Sequence, residues 1–470
     1  MSAIITSPGV YIEEEASLSF SIGSAETAVP VFIGRFARKG GPVETSCFRI
    51  DTFADFEAGF VTSVAVEIQS TDATPPPAGG GTATSTAAAQ PAAMTYDWDI
   101  SDSSGRASFA LRHYFSNGGG RCYVLPLAST DAAELAKLPE LIEQQGDITL
   151  LVCLDMDETS STDSSDGEEA ERADSGGGKQ AVYSALNVLL TNGTGYFLIA
   201  DSRDGSEKPA TVADKTAVYY PSIVTTYVAR RPDDAQIPVS GYVDGTDATT
   251  EVATLAALEQ INNALYKQIS DAIDALYPDD GAPIELPPSA AVAGAYCRTD
   301  AARGVWKAPA NVPLFDVQSL TDQITDAQQG ALNDAGVNAI RYFSARGVLI
   351  WGARTLVPAS TPGWLYIPVR RLFGAAERDI GAAVRFAVFE GNHAATWERI
   401  RMAIDGYLHR LWQQGALVGA TPSQAYFVDV GKGITMSADD IQQGKMIVRV
   451  GMAAVRPAEF IILQFVANGD

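Results

Sequence analysis

Three stretches of this 470-residue sequence carry residue types associated with ligand chemistry. The first, Asn117-Gly118-Gly119-Gly120-Arg121, is glycine-rich like a phosphate-binding loop. Such a loop must follow a strand and open a helix, so that free helix amides face the anion. Here a helix predicted over Ser108 to Tyr114 precedes the glycines and an apolar strand follows them, so they are placed to close a helix with a left-handed residue. The second, Asp155 to Gly178, is dense in carboxylates, but a calcium loop counted from Asp155 needs glycine at its sixth position, where Ser160 stands. It reads as a solvated acidic surface loop. The third set is Cys47, Cys122, Cys153 and Cys297, too scattered for a zinc site or a disulfide framework. They read as small buried apolar residues of a protein made in a reducing cytosol.

Histidine occurs three times, as His113, His393 and His409, the last two on one predicted helix and suited to interface or surface roles. G-x-S-x-G, H-E-x-x-H and G-x-x-x-x-G-K-[ST] do not occur, which removes the commonest hydrolase, zinc-protease and nucleotide signatures. A serine hydrolase is a remote alternative. No catalytic, cofactor-binding or metal-binding residue is expected.

The net charge of -24 and pI near 4.5 argue against nucleic acid as a partner, because phosphate binding needs a surplus of Lys and Arg on some face. With 46% hydrophobic residues there is material for a sizeable core in two to four domains. No basic leader with an apolar core and no apolar run of about 18 residues occurs, so neither signal-directed secretion nor membrane insertion is expected.

The elements that would position these residues alternate. Apolar strands are predicted at Val29 to Gly34, Asp147 to Leu154 and Gly195 to Ala200, with helices at Ala132 to Gln144 and Lys179 to Leu190. This rhythm predicts an α/β fold, with a mainly parallel sheet and crossover helices. Asp51 or Thr52 is placed to cap a helix. Thr71 to Ala93 is low-complexity and reads as a flexible surface insertion. Thr250 to Tyr277 reads as one Ala- and Leu-rich helix. Insertions are placed at about 60–107, 155–178 and 233–286.

Towards the C-terminus, Trp397, Ile400, Ile404, Tyr407, Leu408 and Leu411 recur at three- and four-residue spacing. They predict a long helix from Asn392 that Gly415 can end. Glu398, Arg399, Asp405 and Arg410 fall on its polar side. Ala425 to Val430, Lys445 to Ala454 and Phe460 to Val466 read as strands.

The motifs VFEGN, TWERIR, LHRLWQQGALVGATPSQAYFV and DIQQGKMIVRVGMAAVRPAEFIILQF closely resemble the C-terminal domain of contractile tail sheath proteins, found in phage tails and extracellular contractile injection systems. ARGVWKAPAN (Ala302 to Asn311), LNDAGVNAIR (Leu332 to Arg341), RGVLIWGARTL (Arg346 to Leu356) and YIPVRRL (Tyr366 to Leu372) continue the resemblance in the family's order. SPGVYIEE resembles the family's N-terminal arm. The sequence departs at Glu390-Gly391-Asn392, where the family's usual tripeptide is Glu-Pro-Asn, and is shorter around Gly431 to Gly433.

The resemblance implies an N-terminal arm (1–20), an α/β sheath domain with surface insertions (21–355) and a C-terminal α+β sheath domain (356–470), with mixed sheets and exchanged terminal arms. Ile4, Ile5, Val10, Tyr11 and Ile12 would form the inter-subunit arm. Phe460, Ile461, Ile462, Leu463 and Phe465 would form the C-terminal exchanged strand. Arg399, Arg401 and Arg410 would face an inner tube. Implied partners are further copies in a helical sheath of stacked rings, an inner tube protein, and baseplate and cap proteins, with no cofactor. Assembly would take place in the bacterial cytoplasm, as part of a phage tail or a released tail-like particle. A sheath-derived cap or baseplate-proximal paralogue, or a non-contractile shell protein that shares the fold, is the alternative.

Overall fold

The computed structural model describes residues 21–36, 38–39, 45–60, 64–72, 94–102, 106–127, 129–154, 176–228, 230–243, 252–277 and 281–459. The predicted arm (Ile4, Ile5, Val10, Tyr11, Ile12), the predicted terminal strand (Phe460, Ile461, Ile462, Leu463, Phe465), most of the low-complexity stretch and the acidic loop up to residue 175 lie outside these residues. The chain divides into two compact units, Met1–Ala25 with Ala375–Arg456, and Glu26–Gly374 with Pro457–Asp470.

The larger unit is built on a nine-stranded sheet, in the order Val312–Pro313, Gly347–Ile350, Val337–Phe343, Thr216–Tyr220, Phe197–Asp201, Leu150–Cys153, Pro30–Gly34, Cys122–Pro126, Phe48–Ile50. The six strands from Val337–Phe343 to Cys122–Pro126 are parallel, and antiparallel strands close both edges. A parallel sheet covered on both faces needs strands that are apolar throughout. Pro30–Gly34, Cys122–Pro126 and Leu150–Cys153 are accordingly buried at every residue. Alternation sends Phe32 into the core beneath helices Arg106–Ser116 and Ser289–Arg303, while Val31 and Ile33 enter the core beneath helix Gly176–Asn192.

Local signals act as the sequence predicts at several joints. Thr52 caps helix Phe53–Gly59 in a reciprocal capping box with Asp55. The glycines after helix Arg106–Ser116 close it: Gly118 has φ +92°, and the amides of Gly118 and Gly119 donate to the carbonyls of Phe115 and Tyr114, both at 3.0 Å. This is the double bond of a Schellman cap.

Two predicted helices are broken. Ala132 to Gln144 is split into Ala132–Leu135 and Leu138–Glu143, because Pro139 is accommodated only in a first turn. Thr250 to Tyr277 is split into Leu255–Ile261 and Asn263–Leu276 at Asn262, which leaves helical geometry (φ -136°, ψ 78°) and accepts the Leu265 amide at 3.1 Å as a cap.

The flanks of the low-complexity stretch also differ from a flexible insertion. Val64–Asp72 and Met94–Asp102 pair antiparallel along nine residues each, and Val239–Ser240 lies parallel beside them. Val64, Val66 and Ile68 from this sheet pack with Ile237, Leu255, Leu258, Ile269 and Ile273 in a separate core. Two stretches distant in sequence thus build one accessory module. A third sheet joins Pro283–Leu286, Ile223–Val228 and Val317–Leu320.

In the smaller unit, helix Ala394–Gln413 buries Ile400, Ala403, Ile404, Tyr407, Leu408 and Leu411. It ends in a Schellman cap, with Gly415 at φ +80° and the amides of Gly415 and Ala416 donating to Trp412 and Leu411, both at 2.9 Å. His393 stands at its N-cap rather than within it. Strands Tyr426–Val430 and Val448–Met452 form an antiparallel pair on which the helix packs. By compactness, residues 356–374 fall with the larger unit.

Candidate assembly surface

At the carboxyl end of the central strand Phe197–Asp201, where ligands enter many parallel sheets, the chain fills the anion position itself. Asp201 accepts the backbone amide of Ser289 at 2.8 Å and its hydroxyl at 2.7 Å, at the N-terminus of helix Ser289–Arg303. Lys179 completes the cluster at 2.8 Å. The carboxylate holds the helix dipole and its free amides.

The cysteines are free thiols, with Cys122 and Cys153 buried and Cys47 and Cys297 half-buried. Burial pushes the Cys47 thiol up to about 12 and raises those of Cys122 and Cys297, so they are kept from the reactive thiolate form. His113 is fully buried, with Nε2 2.8 Å from the Phe315 carbonyl. His409 lies 3.0 Å from the Gln413 amide nitrogen. Among the described residues, no group of three or more His, Cys, Asp or Glu is arranged to hold a metal ion, and no helix is long and apolar enough to cross a membrane.

Charge is unevenly spread along the chain. Residues 375–456 contain nine Lys and Arg against eight Asp and Glu, in a chain whose net charge is -24. Arg399, Arg401 and Arg410 all lie on helix Ala394–Gln413, yet they do not form one patch. At 100° per residue, Arg399 and Arg410 fall within about 20° of each other, whereas Arg401 lies about 200° from Arg399, on the opposite border of the buried stripe. Arg401 is engaged by Glu398 one turn earlier, Nε to Oε2 at 2.9 Å. Arg399 is exposed. Arg410 donates its guanidinium to the carbonyl of Ile22 and lies 5.9 Å from the Tyr407 ring centre.

The strand pair Tyr426–Val430 and Val448–Met452 is a second feature of the smaller unit. A two-stranded ribbon has two outer edges; among the described residues no third strand pairs with them, and residues 416–418 bridge the chain just beyond it, at 453–455. Phe427 and Ile447 are 49% and 42% exposed on and beside it. Open edges with apolar neighbours are templates for another strand.

Contacts around the chain's described ends were not visible from residue types. Thr27 is bound through its hydroxyl to Asp300 and through its carbonyl to Arg371. Ala25 donates its amide to Asp379 at 3.4 Å. Glu459 accepts from Arg354 at 2.8 Å and from Tyr366 at 3.1 Å. Arg371 lies in the YIPVRRL motif and Asp300 two residues before ARGVWKAPAN, but nothing in the sequence pairs them.

The chain matches the phage tail sheath protein central domain over residues 201–356 and the phage tail sheath C-terminal domain over 359–468. It is 40% identical to a chain of the anti-feeding prophage (AFP) helical sheath in its contracted state, with a TM-score of 0.68, covering 99% of this chain and 100% of that one. It is 32% identical, with a TM-score of 0.64, to a chain of the contracted PVC sheath complex of an extracellular contractile injection system, covering 99% of each. The tail sheath protein of Vibrio phage KVP40 is 24% identical over 186 residues, which are 39% of this chain and only 26% of that relative's length. On two domain matches that together span more than half of its length, and on full-length likeness at 40% identity, this chain belongs to the contractile tail sheath protein family.

Proposed function

We propose that the chain is a structural subunit that stacks helically around an inner tube and shortens to drive that tube through a target envelope. The observation that carries this is the likeness to the AFP contracted sheath along 99% of the chain. The work is mechanical and needs no catalysis. A terminal arm laid along the open edge of a neighbour's Tyr426–Val430 and Val448–Met452 ribbon would add backbone hydrogen bonds of about 0.5 to 1.5 kcal/mol net each. Several such bonds per subunit link the cylinder into a mesh. Subunits can then move as rigid bodies, changing radius and pitch without dissociating, and the driving energy lies in interfaces that improve on contraction.

The tube-facing surface is the exposed part of helix Ala394–Gln413, with Arg399 as its cationic contact. Baseplate and cap proteins close the two ends, and assembly takes place in the bacterial cytoplasm. Electron microscopy of the protein expressed with and without its tube protein tests this. Long hollow cylinders are expected; discrete rings would instead identify a cap or baseplate-proximal paralogue.

A further inference from the structure

The segment that leads from residue 21 into the first strand is fastened in an unusual way. Ser21, Gly23, Ser24 and Ala25 are exposed, but Ile22 between them is only 2% exposed. Its side chain is therefore a single buried apolar group in an otherwise exposed strip. On one side of Gly23-Ser24, the carbonyl of Ile22 accepts from the guanidinium of Arg410. On the other side, the amide of Ala25 donates to Asp379 Oδ1 at 3.4 Å.

The two anchors are joined to each other. Arg410 lies over the Tyr407 ring at 5.9 Å, and the Tyr407 hydroxyl donates to Asp379 Oδ2 at 3.0 Å. A closed path thus runs from Ile22 through Arg410, Tyr407 and Asp379 to Ala25, bracketing the Gly23-Ser24 pair. All of these residues belong to the smaller unit.

We propose that Arg410, Asp379 and the buried Ile22 side chain form a clamp that holds the root of the N-terminal segment and sets the direction in which residues 1–20 leave the subunit. Arg410 is then a positioning residue for the arm and not a contact to the tube. Fixing a backbone in one conformation costs conformational entropy. A root ordered before assembly removes that cost from the step in which the arm docks, as preorganisation does in any binding event. Tension on an arm engaged with a neighbour would also pass directly into helices Ala394–Gln413 and Ile367–Val384. The proposal rests on the arm-exchange function given above.

Hydrogen–deuterium exchange of the segment 22–27 in the full-length soluble subunit, followed by cylinder assembly, tests the clamp. Arg410→Ala and Asp379→Ala should raise exchange in this segment up to about tenfold, the loss of one hydrogen bond, and slow cylinder growth. Arg410→Lys keeps a donor and Asp379→Asn keeps an acceptor, so both should stay near the wild-type rates. Arg410 is exposed, so its truncation leaves the core intact and remains informative if Asp379→Ala folds poorly. Unchanged exchange in Arg410→Ala overturns the clamp. Raised exchange with normal cylinder growth overturns its role in directing the arm. Failure of arm exchange itself would show separately, as normal cylinders from a chain lacking residues 1–20.

Discussion

The guanidinium of Arg371 and the carboxylate of Asp300 meet at 2.7 Å with their side chains only 2% and 6% exposed. The Thr27 hydroxyl donates to the same carboxylate at 2.6 Å, Arg371 also donates to the Thr27 carbonyl at 3.0 Å, and the Tyr296 ring lies 4.6 Å from the guanidinium. The pair therefore ties the chain's entry into the larger unit to helix Ser289–Arg303. Removing one partner leaves an uncompensated buried charge, so Asp300→Ala should lower stability by about 3 to 5 kcal/mol. The double replacement Asp300→Leu with Arg371→Met should recover much of that loss. Urea midpoints of the three chains decide it, and a single variant as stable as the double would count against the pairing.

His113 gives the larger unit a pH dependence. Burial holds its pKa below the ordinary value, against weaker opposing effects of the Phe315 carbonyl and Asp316. Nδ1 is buried with no hydrogen-bond partner, so a proton there would be an unsatisfied buried donor. Because the unfolded chain binds this proton more readily, the stability contribution is complete above about pH 6.5 and is lost as pH falls below it. His113→Gln keeps a donor for Phe315 without titrating. Its stability should change less between about pH 6.5 and 5.5 than that of the wild type, and parallel curves would exclude His113 as the source.

Much of this fold is legible in the sequence, because its strongest signals are local. A strand such as Val-Pro-Val-Phe-Ile-Gly is apolar at every position because both sheet faces are covered, and glycines after helices Arg106–Ser116 and Ala394–Gln413 are needed where φ is positive. What escapes is decided at longer range. Val64, Val66 and Ile68 alternate as a strand should, but the run leads into a Pro- and Gly-rich stretch, and its partner begins only at Met94. Asn262 breaks a helix because its side chain caps the next one, a choice that composition does not distinguish from continuation. Arg399, Arg401 and Arg410 look like one patch in the sequence, and only the helical angle separates them.

The accessory module sets limits on what can be trimmed. Replacing residues 73–93 or 155–175 with a short Gly-Ser linker should leave both folding and cylinder assembly intact, since polar low-complexity chain would cost about 1 to 2 kcal/mol per residue to order in a lattice contact. Excising 60–107 should instead strip Val64, Val66 and Ile68 from a core that Leu255, Leu258 and Ile269 share. Limited proteolysis should then cut around residues 233–286, and microscopy of the linker variants should show unchanged cylinders. Loss of assembly in a folded linker variant would place those segments in a lattice contact.

Arg399 and Arg401 border opposite sides of one helix, so their effects on tube capture should separate. Arg399→Glu is expected to weaken co-sedimentation with the tube protein, most strongly at low salt, where exposed charges act over about 10 Å or more. Arg401→Glu would trade its surface pair with Glu398 for a repulsion of a few tenths of a kcal/mol and should leave capture nearly unchanged. Equal losses from the two variants would mean that the tube contact does not follow this helix face.

The N-terminal arm provides the most direct test of assembly by strand exchange. Ile4, Ile5, Val10, Tyr11 and Ile12 are good strand residues, and Pro8, which cannot donate a ladder hydrogen bond, suits an edge position. Fully extended, Ser2 to Phe20 would reach on the order of 60 Å at about 3.3 Å per residue, wider than a typical domain. The recipient proposed above is the ribbon of Tyr426–Val430 and Val448–Met452, with which no third strand pairs among the described residues. The larger unit begins at Glu26, so deleting residues 1–20 should leave its urea midpoint close to that in the full chain. On the strand exchange proposed above, the same deletion should abolish cylinders in electron microscopy. A truncated chain that still grows a regular sheath would refute strand donation by this arm.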